Sequence, residues 1–557
     1  MEPTHLQMQL ATAMEKVFSD EEPAEWHPKS PVTILMDERF SFQVAFFWAG
    51  IRQTDVAIRL ESTFPGYCTW RQVELSPSEL AAYPYPDRDE DYLRTTSGLY
   101  PDRLHVPEDG ELRLLPQQWR AIWIDLQAGR ALPGIYPVNI RALDEQGNEM
   151  GACQIEVRLS KVRLPGQRLR YAQWLHADCL ADYYGVPVFS EQHWRILENF
   201  IRGAARLGIN TLYTPLFTPP LDTEVGGERT TTQLVDVAVT KEGYYIFDFE
   251  RLRRWIRLGQ ACGMRYFEMS HLFTQWGASS CPKIMAQVEG KTQRIFGWED
   301  EAADERYRSF LEAFLPELTV KLQEWDVASH TFFHISDEPS EQHLEQYKTV
   351  KAIVEPYLQG FPIMDALSHY PFYEQGITKH AICAIDRIQP FLDAGVPGLW
   401  AYYCCAQAAK VSNRFFAMSS VRNRMIGVQM YKYRIEGFLH WGYNFYNSAL
   451  SKRSLDPYRV TDGDGAFPSG DAFTVYPGKD GKPEDSIRGE VFYMALQDMR
   501  ALELLESMTS REYVLGILEE GLEKPLSFSE YPRSASYLLE MHEKVNREID
   551  ICAAAGI

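Results

Sequence analysis

The sequence predicts a multidomain protein with an N-terminal β-sandwich over residues 1–166, a (β/α)8 TIM barrel over 167–505 and a C-terminal helical extension over 506–557. Three observations predict it. At 557 residues the chain is too long for one ordinary domain and long enough for a barrel of roughly 250 residues plus an accessory domain. After the linker-like run Leu164-Pro165-Gly166-Gln167, short β-rich segments give way to strands that alternate with amphipathic helices. Polar side chains then accumulate where those strands end, and catalytic groups of such barrels sit at the C-terminal strand ends.

Before residue 166, the segments Phe40 to Phe47, Val56 to Leu60, Ala121 to Leu126, Val138 to Ala142 and Cys153 to Leu159 are short, β-branched or aromatic, and separated by turn residues. That pattern suits a sandwich. The turn at Leu132-Pro133-Gly134 and the Asp144-Glu145-Gln146-Gly147-Asn148 hairpin predict antiparallel pairing. No site chemistry is visible here, and aromatics such as Trp70 and Tyr100 are expected in the core. Beyond residue 167 the candidate barrel strands are Tyr171 to Ala177, Thr211 to Phe217, Arg265 to His271, Phe332 to Ser336, Pro362 to Leu367, Ala381 to Ile385, Gly398 to Tyr403 and Gly437 to Tyr443. Helices are expected over Glu191 to Leu207, Phe249 to Cys262, Glu305 to Trp325, Glu341 to Tyr357 and Ser420 to Arg434, with Ser486 to Glu503 as the last barrel helix.

The fourth of these strands carries the main chemical signal. His330 to Ser340 is an aromatic run that ends in the adjacent acids Asp337 and Glu338, after which Pro339 forbids the strand to continue and pre-sets a helix start. Alternation places Phe333 and Ile335 under the helices and points His334, Ser336 and Glu338 into the barrel. Asp337 joins them only if the strand ends near Ser336 and the backbone turns.

Composition narrows the function. The formal charge of −21 with scattered Lys and Arg argues against nucleic acid as a partner. Nine cysteines, with Cys404 and Cys405 adjacent and no Cys-x-x-Cys, argue against a disulfide framework and a cysteine zinc site, and suit reduced thiols in a cytoplasm. No signal pattern or membrane-length apolar run is seen, so a cytoplasmic protein with no membrane partner is expected. No cofactor is predicted. Asp462-Gly-Asp-Gly465 resembles part of a calcium loop but lacks the later Glu, so a plain turn and no metal are expected.

Two carboxylates, aromatics and neutral hydrogen-bonding groups at one barrel mouth suit glycosidic bond cleavage, because sugars stack on aromatic faces and bond through hydroxyls. An ordinary retaining enzyme holds its two carboxyl groups about 5–5.5 Å apart across the scissile bond, which sequence neighbours rarely achieve. Neighbours fit better the variant in which the sugar's own 2-acetamido oxygen attacks the anomeric carbon. Asp337, ionised, is then expected to orient and stabilise the acetamido group, and Glu338, with a raised pKa, to act as general acid/base. Helix starts also favour acids and proline for capping alone. Strand-end position and the inward His334 favour catalysis.

The strand-four motif, the run Trp400-Ala-Tyr-Tyr-Cys404, the segment Asn413-Arg-Phe-Phe416 leading into Arg422-Asn-Arg-Met-Ile-Gly427, and Gly437-Phe-Leu-His-Trp-Gly-Tyr-Asn444 together resemble glycoside hydrolase family 123. Asp464-Gly-Ala-Phe, Tyr476-Pro-Gly478 and Ser486-Ile-Arg488 extend the likeness over the second half of the chain, while the N-terminal third matches only in layout. The resemblance implies a β-N-acetylgalactosaminidase with a sandwich, a barrel and an adjacent Asp-Glu pair. Its stabilising Asp falls on Asp337 and its acid/base on Glu338, with Trp441 and Asn444 where sugar binds. Gln407 departs from the proline expected after the Trp-x-Tyr-x-Cys run, a difference that bears on substrate preference.

Candidate substrate-binding residues are His176, His271, His334, Asp365, Tyr403, Trp441, Tyr443 and Asn444. Asp178, His369, Asp386, Trp400, Tyr402 and Arg414 are weaker candidates, each with a structural alternative such as a helix cap, an ion pair or barrel filling. The expected partner is a carbohydrate with a terminal 2-acetamido sugar. Homo-oligomerisation, glycan length, linkage and exo or endo action stay open. A barrel glycosidase for β-N-acetylglucosaminides or plain hexosides, and a non-catalytic sugar-binding relative, are the alternatives.

Overall fold

The structure, a computed structural model, describes residues 6–29, 31–84, 89–128 and 132–556. The N-terminal part is a sandwich of two sheets. One orders the strands Leu6–Thr12, Arg39–Trp48, Trp119–Ala128, Gly66–Ser78 and Gly98–His105. The other orders Val32–Met36, Glu149–Arg163, Gly134–Leu143, Thr54–Ser62 and Glu111–Leu114. Asp144 closes the predicted hairpin, its Oδ1 accepting from the backbone N–H groups of Gln146 and Asn148.

The central strands Arg39–Trp48 and Trp119–Ala128 are buried on both faces. One face, with Phe42, Val44, Ile122 and Ile124, fills the sandwich. The other, with Ala45, Ala121 and Trp123, packs on Ile487, Val491 and Met494 of the helix Ile487–Met508. Strands Pro483–Ser486 and Tyr476–Pro477 also extend the first sheet, Asp485 pairing with Leu104. Sandwich and barrel are therefore joined through a shared sheet edge and a shared helix.

Charges lock this joint. Arg39 and Arg71 of the sandwich and Arg206 of the barrel converge on buried Glu490, whose carboxyl is held well below its usual range by the three guanidiniums against the opposing effect of burial. Arg488 pairs with buried Asp102 of the sandwich, and within the barrel Arg424 pairs with Asp498. Helices Ser420–Lys432 and Ile487–Met508 cross so tightly that a Cβ on Gly427 would lie 2.0 Å from the Ala495 carbonyl oxygen. No side chain fits there. The last helix, Ala535–Ala555, lies against the sandwich through Glu543 to Thr33 and His542 to Glu38.

Eight parallel strands form the barrel: Arg170–Gln173, Thr211–Thr214, Tyr266–Met269, Thr331–Phe333, Met364–Ala366, His380–Ala384, Trp400–Tyr402 and Gly437–His440. Their pairing order is four, three, two, one, eight, seven, six, five. A parallel bridge from Phe333 to Ile363, with the Phe333 N–H donating to Pro362 at 3.0 Å, closes the ring between strands four and five. All eight fall on the predicted segments; seven are shorter than expected, and the sixth keeps its length one residue earlier. The predicted helices form over Glu191–Arg206, Glu250–Ala261, Glu305–Glu324, Leu344–Val354 and Ser420–Lys432.

Two features depart from expectation. Loops after strands two and three build a second sheet from Asp236–Val239, Tyr245–Asp248, Ile284–Val288 and Lys291–Phe296. Pro339 does not open a helix: Ser340 caps a short 3-10 turn, Glu341–His343, and the α-helix begins at Leu344. No helix among the described residues is long and apolar enough to cross a membrane. All nine cysteines are free thiols.

Candidate active site

Strand four stops at Phe333, three residues before the expected end, and the next residues are stitched to their neighbours one by one. The Ile335 N–H donates to Asp365 Oδ1 at 2.8 Å, Ser336 Oγ donates to the Thr274 carbonyl at 2.8 Å, and the Trp276 N–H donates to the Asp337 carbonyl at 2.9 Å. Glu338 then takes a left-handed backbone, φ 43°, a conformation that costs a side-chain-bearing residue on the order of 1–3 kcal/mol and clusters at functional sites. This is the turn the sequence required. It brings both acids to one cavity, lined also by Trp174, His176, Asp222, Trp276, Tyr402, Cys404, Cys405, Trp441 and Phe467.

The cavity is small and open, about 140 Å3, or about 720 Å3 when its mouth is counted. A larger one, about 530 Å3 on the first measure, lies between the sandwich and the last helix near Trp26, Phe40 and His542, far from the acid pair in the fold. Chemistry rather than volume marks the site, because convergent titratable groups in a cleft distinguish a reactive pocket from a packing gap.

Asp337 is half-buried and Glu338 presents its side chain to the cavity, so their solvent contact is with the cleft itself. Crowding by the walls raises both carboxyl pKa values, Asp337 more strongly, by burial first and then by repulsion from Glu338. The Tyr402 hydroxyl donates to Glu338 Oε1 at 2.8 Å and partly offsets the rise there. Among the described residues no side chain donates to the Asp337 carboxylate, which is left for a ligand. Burial and Glu338 work against an ionised Asp337, and His334 beneath it works in favour.

The other candidates divide. Trp441 lines the cavity, its indole N–H held by Asp471 Oδ2 at 2.9 Å. Burial pushes Asp471 up to about 7, Arg414 opposing. His176 also lines it, with Nε2 2.8 Å from the Trp441 carbonyl and Nδ1 accepting from Arg229 at 3.1 Å; burial and Arg229 push its pKa down to about 3, so the ring is neutral. Arg229 in turn pairs with buried Asp178.

Six predicted ligands are corrected, since other protein groups occupy them away from the cavity wall. The Tyr403 hydroxyl donates to Asn423, because strand alternation turns it outward from Tyr402. The Tyr443 hydroxyl donates to the Phe200 carbonyl. Asn444 clamps the main chain of His176, accepting from its N–H and donating to its carbonyl. His271, His334 and Asp365 are buried beneath the floor. Of the weaker candidates, Arg414 is buried against His440, Gly442 and Asp471, His369 faces Glu341 at the surface, and Trp400 fills the barrel.

Some lining residues escaped the sequence because they come from loops. Trp276, from the loop after strand three, is 45% exposed with φ 55°. Asp222, from the loop after strand two, has φ 39°, and its Oδ2 accepts from the Leu450 N–H at 3.0 Å, a residue itself left-handed. Burial pushes Asp222 up to about 6. Three departures from ordinary backbone in one cavity were the available signal, and sequence does not carry it. Gln407 has a local reason: it accepts from the Cys404 N–H and donates to Asp386, tying the loops after strands six and seven. Asp462 accepts from Leu80 and Gly465, as a turn residue does.

Barrel, strand-end carboxylates and aromatic-walled cleft define a glycosidase-type site. The sequence profile of the glycoside hydrolase 123 catalytic domain matches residues 174–505. The chain belongs to glycoside hydrolase family 123, and it is a glycosidase. A family 123 glycoside hydrolase from Clostridium perfringens, described for glycolipid glycan hydrolysis, superposes with TM-score 0.71 at 14% identity over 98% of this chain and 97% of that one. It shares the whole architecture. A β-glucuronidase from Bifidobacterium dentium (TM-score 0.30, 9% identity, 89% and 67% covered) and a family 5 mannosidase from Rhizomucor miehei (0.31, 11%, 62% and 95%) are too distant to carry an argument. No curated protein matches the chain.

Proposed function

We propose that this enzyme is a retaining exo-β-N-acetylgalactosaminidase in which the substrate's 2-acetamido group is the nucleophile. The observation that carries the proposal is the adjacency of Asp337 and Glu338 in one cavity, with no side chain among the described residues donating to the Asp337 carboxylate. Sequence neighbours cannot readily flank a scissile bond as acid and nucleophile, but they can serve a sugar that attacks itself. Glu338, protonated, gives its proton to the leaving oxygen as the acetamido oxygen bonds to the anomeric carbon and the glycosidic bond breaks. Asp337, ionised, accepts from the acetamido N–H and balances the oxazolinium charge. Glu338 then takes a proton from the water that opens the oxazolinium, giving net retention. Trp441 and Trp276 offer apolar faces to the sugar ring and to the leaving group.

N-acetylgalactosamine is the sugar that family resemblance implies, and the Clostridium perfringens relative adds glycolipid glycans to the substrates worth trying. A screen of aryl 2-acetamido-β-glycosides of galacto and gluco configuration against plain hexosides tests the proposal; faster turnover of the hexosides would overturn it. Asp222 favours one competing mechanism, since it is a third carboxylate in the cavity and comes from a different loop. If Asp222 were the nucleophile of an ordinary retaining enzyme, D222N would abolish turnover of every substrate, whereas the present account expects mainly a raised KM.

Tyr402 supplies a pH test. Its hydroxyl lowers the Glu338 pKa, so Y402F raises it. Activity requires protonated Glu338 and falls as pH rises through that pKa, so the alkaline limb of kcat/KM is expected to move to higher pH, while loss of one positioning hydrogen bond, about 1 kcal/mol, lowers the plateau roughly fivefold.

A further inference from the structure

Beneath the floor of the cavity, His334 is completely buried, with Nε2 2.5 Å from Glu268 Oε1 and Nδ1 3.2 Å from Asp365 Oδ1. A neutral imidazole has one N–H and can satisfy only one carboxylate. Each acid also accepts elsewhere: Glu268 Oε1 from the Trp174 indole at 2.7 Å, its buried Oε2 having no partner among the described residues, and Asp365 from the Ile335 N–H and the Tyr347 hydroxyl. Leaving two buried carboxylates with no cation would be costly. His271 stacks on His334, centroids 4.4 Å apart and planes within 16°, with its Nε2 unpartnered, the state of a neutral ring beside a charged one.

We infer that His334 is a permanent imidazolium, clamped between Glu268 and Asp365, and that it acts as a positioning residue whose charge favours the ionised form of Asp337 against the acids around it. The inference rests on the acetamido-assisted reading of the same site. The titratable or charged groups around Asp337 are Glu338 on its own corner, Asp222 on the loop after strand two, Tyr213 at the end of strand two, Asp365 on strand five, and His271 and His334 under the floor. Burial first, then Glu338, Asp365 and Asp222, push the Asp337 pKa up, and His334 pulls it down. The two hydrogen-bonded carboxylates in turn push His334 up to about 10 despite its burial. Since kcat/KM requires ionised Asp337, activity is lost as pH falls through the Asp337 pKa, and removing the cation moves that acid limb to higher pH.

The donors of His271, His334 and Asp365 also lie within 4.8 Å of one another, which makes a bound divalent ion the rival explanation. Three arms decide. In protein carrying 15N-histidine, with the His334 signal assigned by its loss in H334Q, both ring nitrogens are expected to keep their protons from about pH 5 to about pH 9; a single ring proton at neutral pH, or a stoichiometric divalent ion in metal analysis that H334Q lacks, overturns the cation. On an aryl 2-acetamido-glycoside, H334Q is expected to lose about 10²-fold in kcat/KM and to shift the acid limb upward. A lower plateau with an unmoved limb overturns the coupling to Asp337. The double variant H334Q/D365N removes one positive and one negative charge that both act on Asp337, and is expected to bring the limb back toward its original place and to fold if H334Q alone does not. If no 2-acetamido substrate is turned over at all, the functional reading fails, while the NMR arm still decides whether the cation exists.

Discussion

Glu338→Gln is expected to lower kcat/KM on unactivated 2-acetamido glycosides by about 10²–10⁴, the usual worth of a positioned general acid. The same substitution should spare most of the bond-cleaving rate on aryl glycosides whose leaving groups depart without a proton. Gln retains an oxygen that can accept from Tyr402, so the loop and its left-handed turn have no reason to move, and the loss reports the proton alone. Steady-state rates across a series of leaving groups check this. The variant's dependence on leaving-group pKa should be far steeper than that of the parent, and slow opening of the oxazolinium, which lacks its base, should appear as a burst with the best leaving groups. Equal losses across the series would remove Glu338 from the acid role.

Asp337→Asn has a different signature. The carboxylate balances the oxazolinium charge whatever departs, so its loss should cost about 10²–10³ in kcat on activated and unactivated substrates alike, comparable to removing one electrostatic stabiliser from a preorganised site. Nothing among the described side chains donates to this carboxylate, so stability should change little, and thermal unfolding of the variant checks that the effect is catalytic. Small and equal effects from both substitutions would remove the division of labour between the two acids.

Much of the architecture was legible because it rests on periodicity. The eight barrel strands and their helices follow apolar patterns that burial enforces on the whole segment, so all of them appear where expected, seven of the strands two or three residues shorter. The site was legible where chemistry lies on a strand end: Asp337, Glu338, His176, Trp441 and Tyr402 meet in one cavity. It was illegible where one residue decides the face. Tyr402 and Tyr403 are equally polar and aromatic, yet alternation sends one to Glu338 and the other to Asn423. His271, His334 and Asp365 look like ligands in sequence, but each sits one layer too deep, and depth within a barrel is set by strand tilt and stagger rather than by composition. Asp222 and Trp276 lie in long loops whose paths depend on contacts made far away in sequence, such as Asp222 with Leu450. The motif Arg422 to Gly427 proved architectural, with Arg424 on Asp498 and Gly427 against Ala495, so a family signature here marks the packing of two barrel helices as well as the chemistry.

Asp337, whose carboxylate oxygens accept from no described side chain, and Glu338, beside Tyr402, form a receptor for an oxazolinium rather than for a covalent glycosyl ester. Inhibition by the thiazoline analogue of N-acetylgalactosamine tests this most directly, because its fused ring reproduces that intermediate and no enzyme that attacks with its own carboxylate gains from it. Competitive binding at least about 10²-fold tighter than that of the parent sugar, lost in Asp337→Asn, is the result expected. Turnover of 2-acetamido glycosides with no preference for the thiazoline over the free sugar would contradict it.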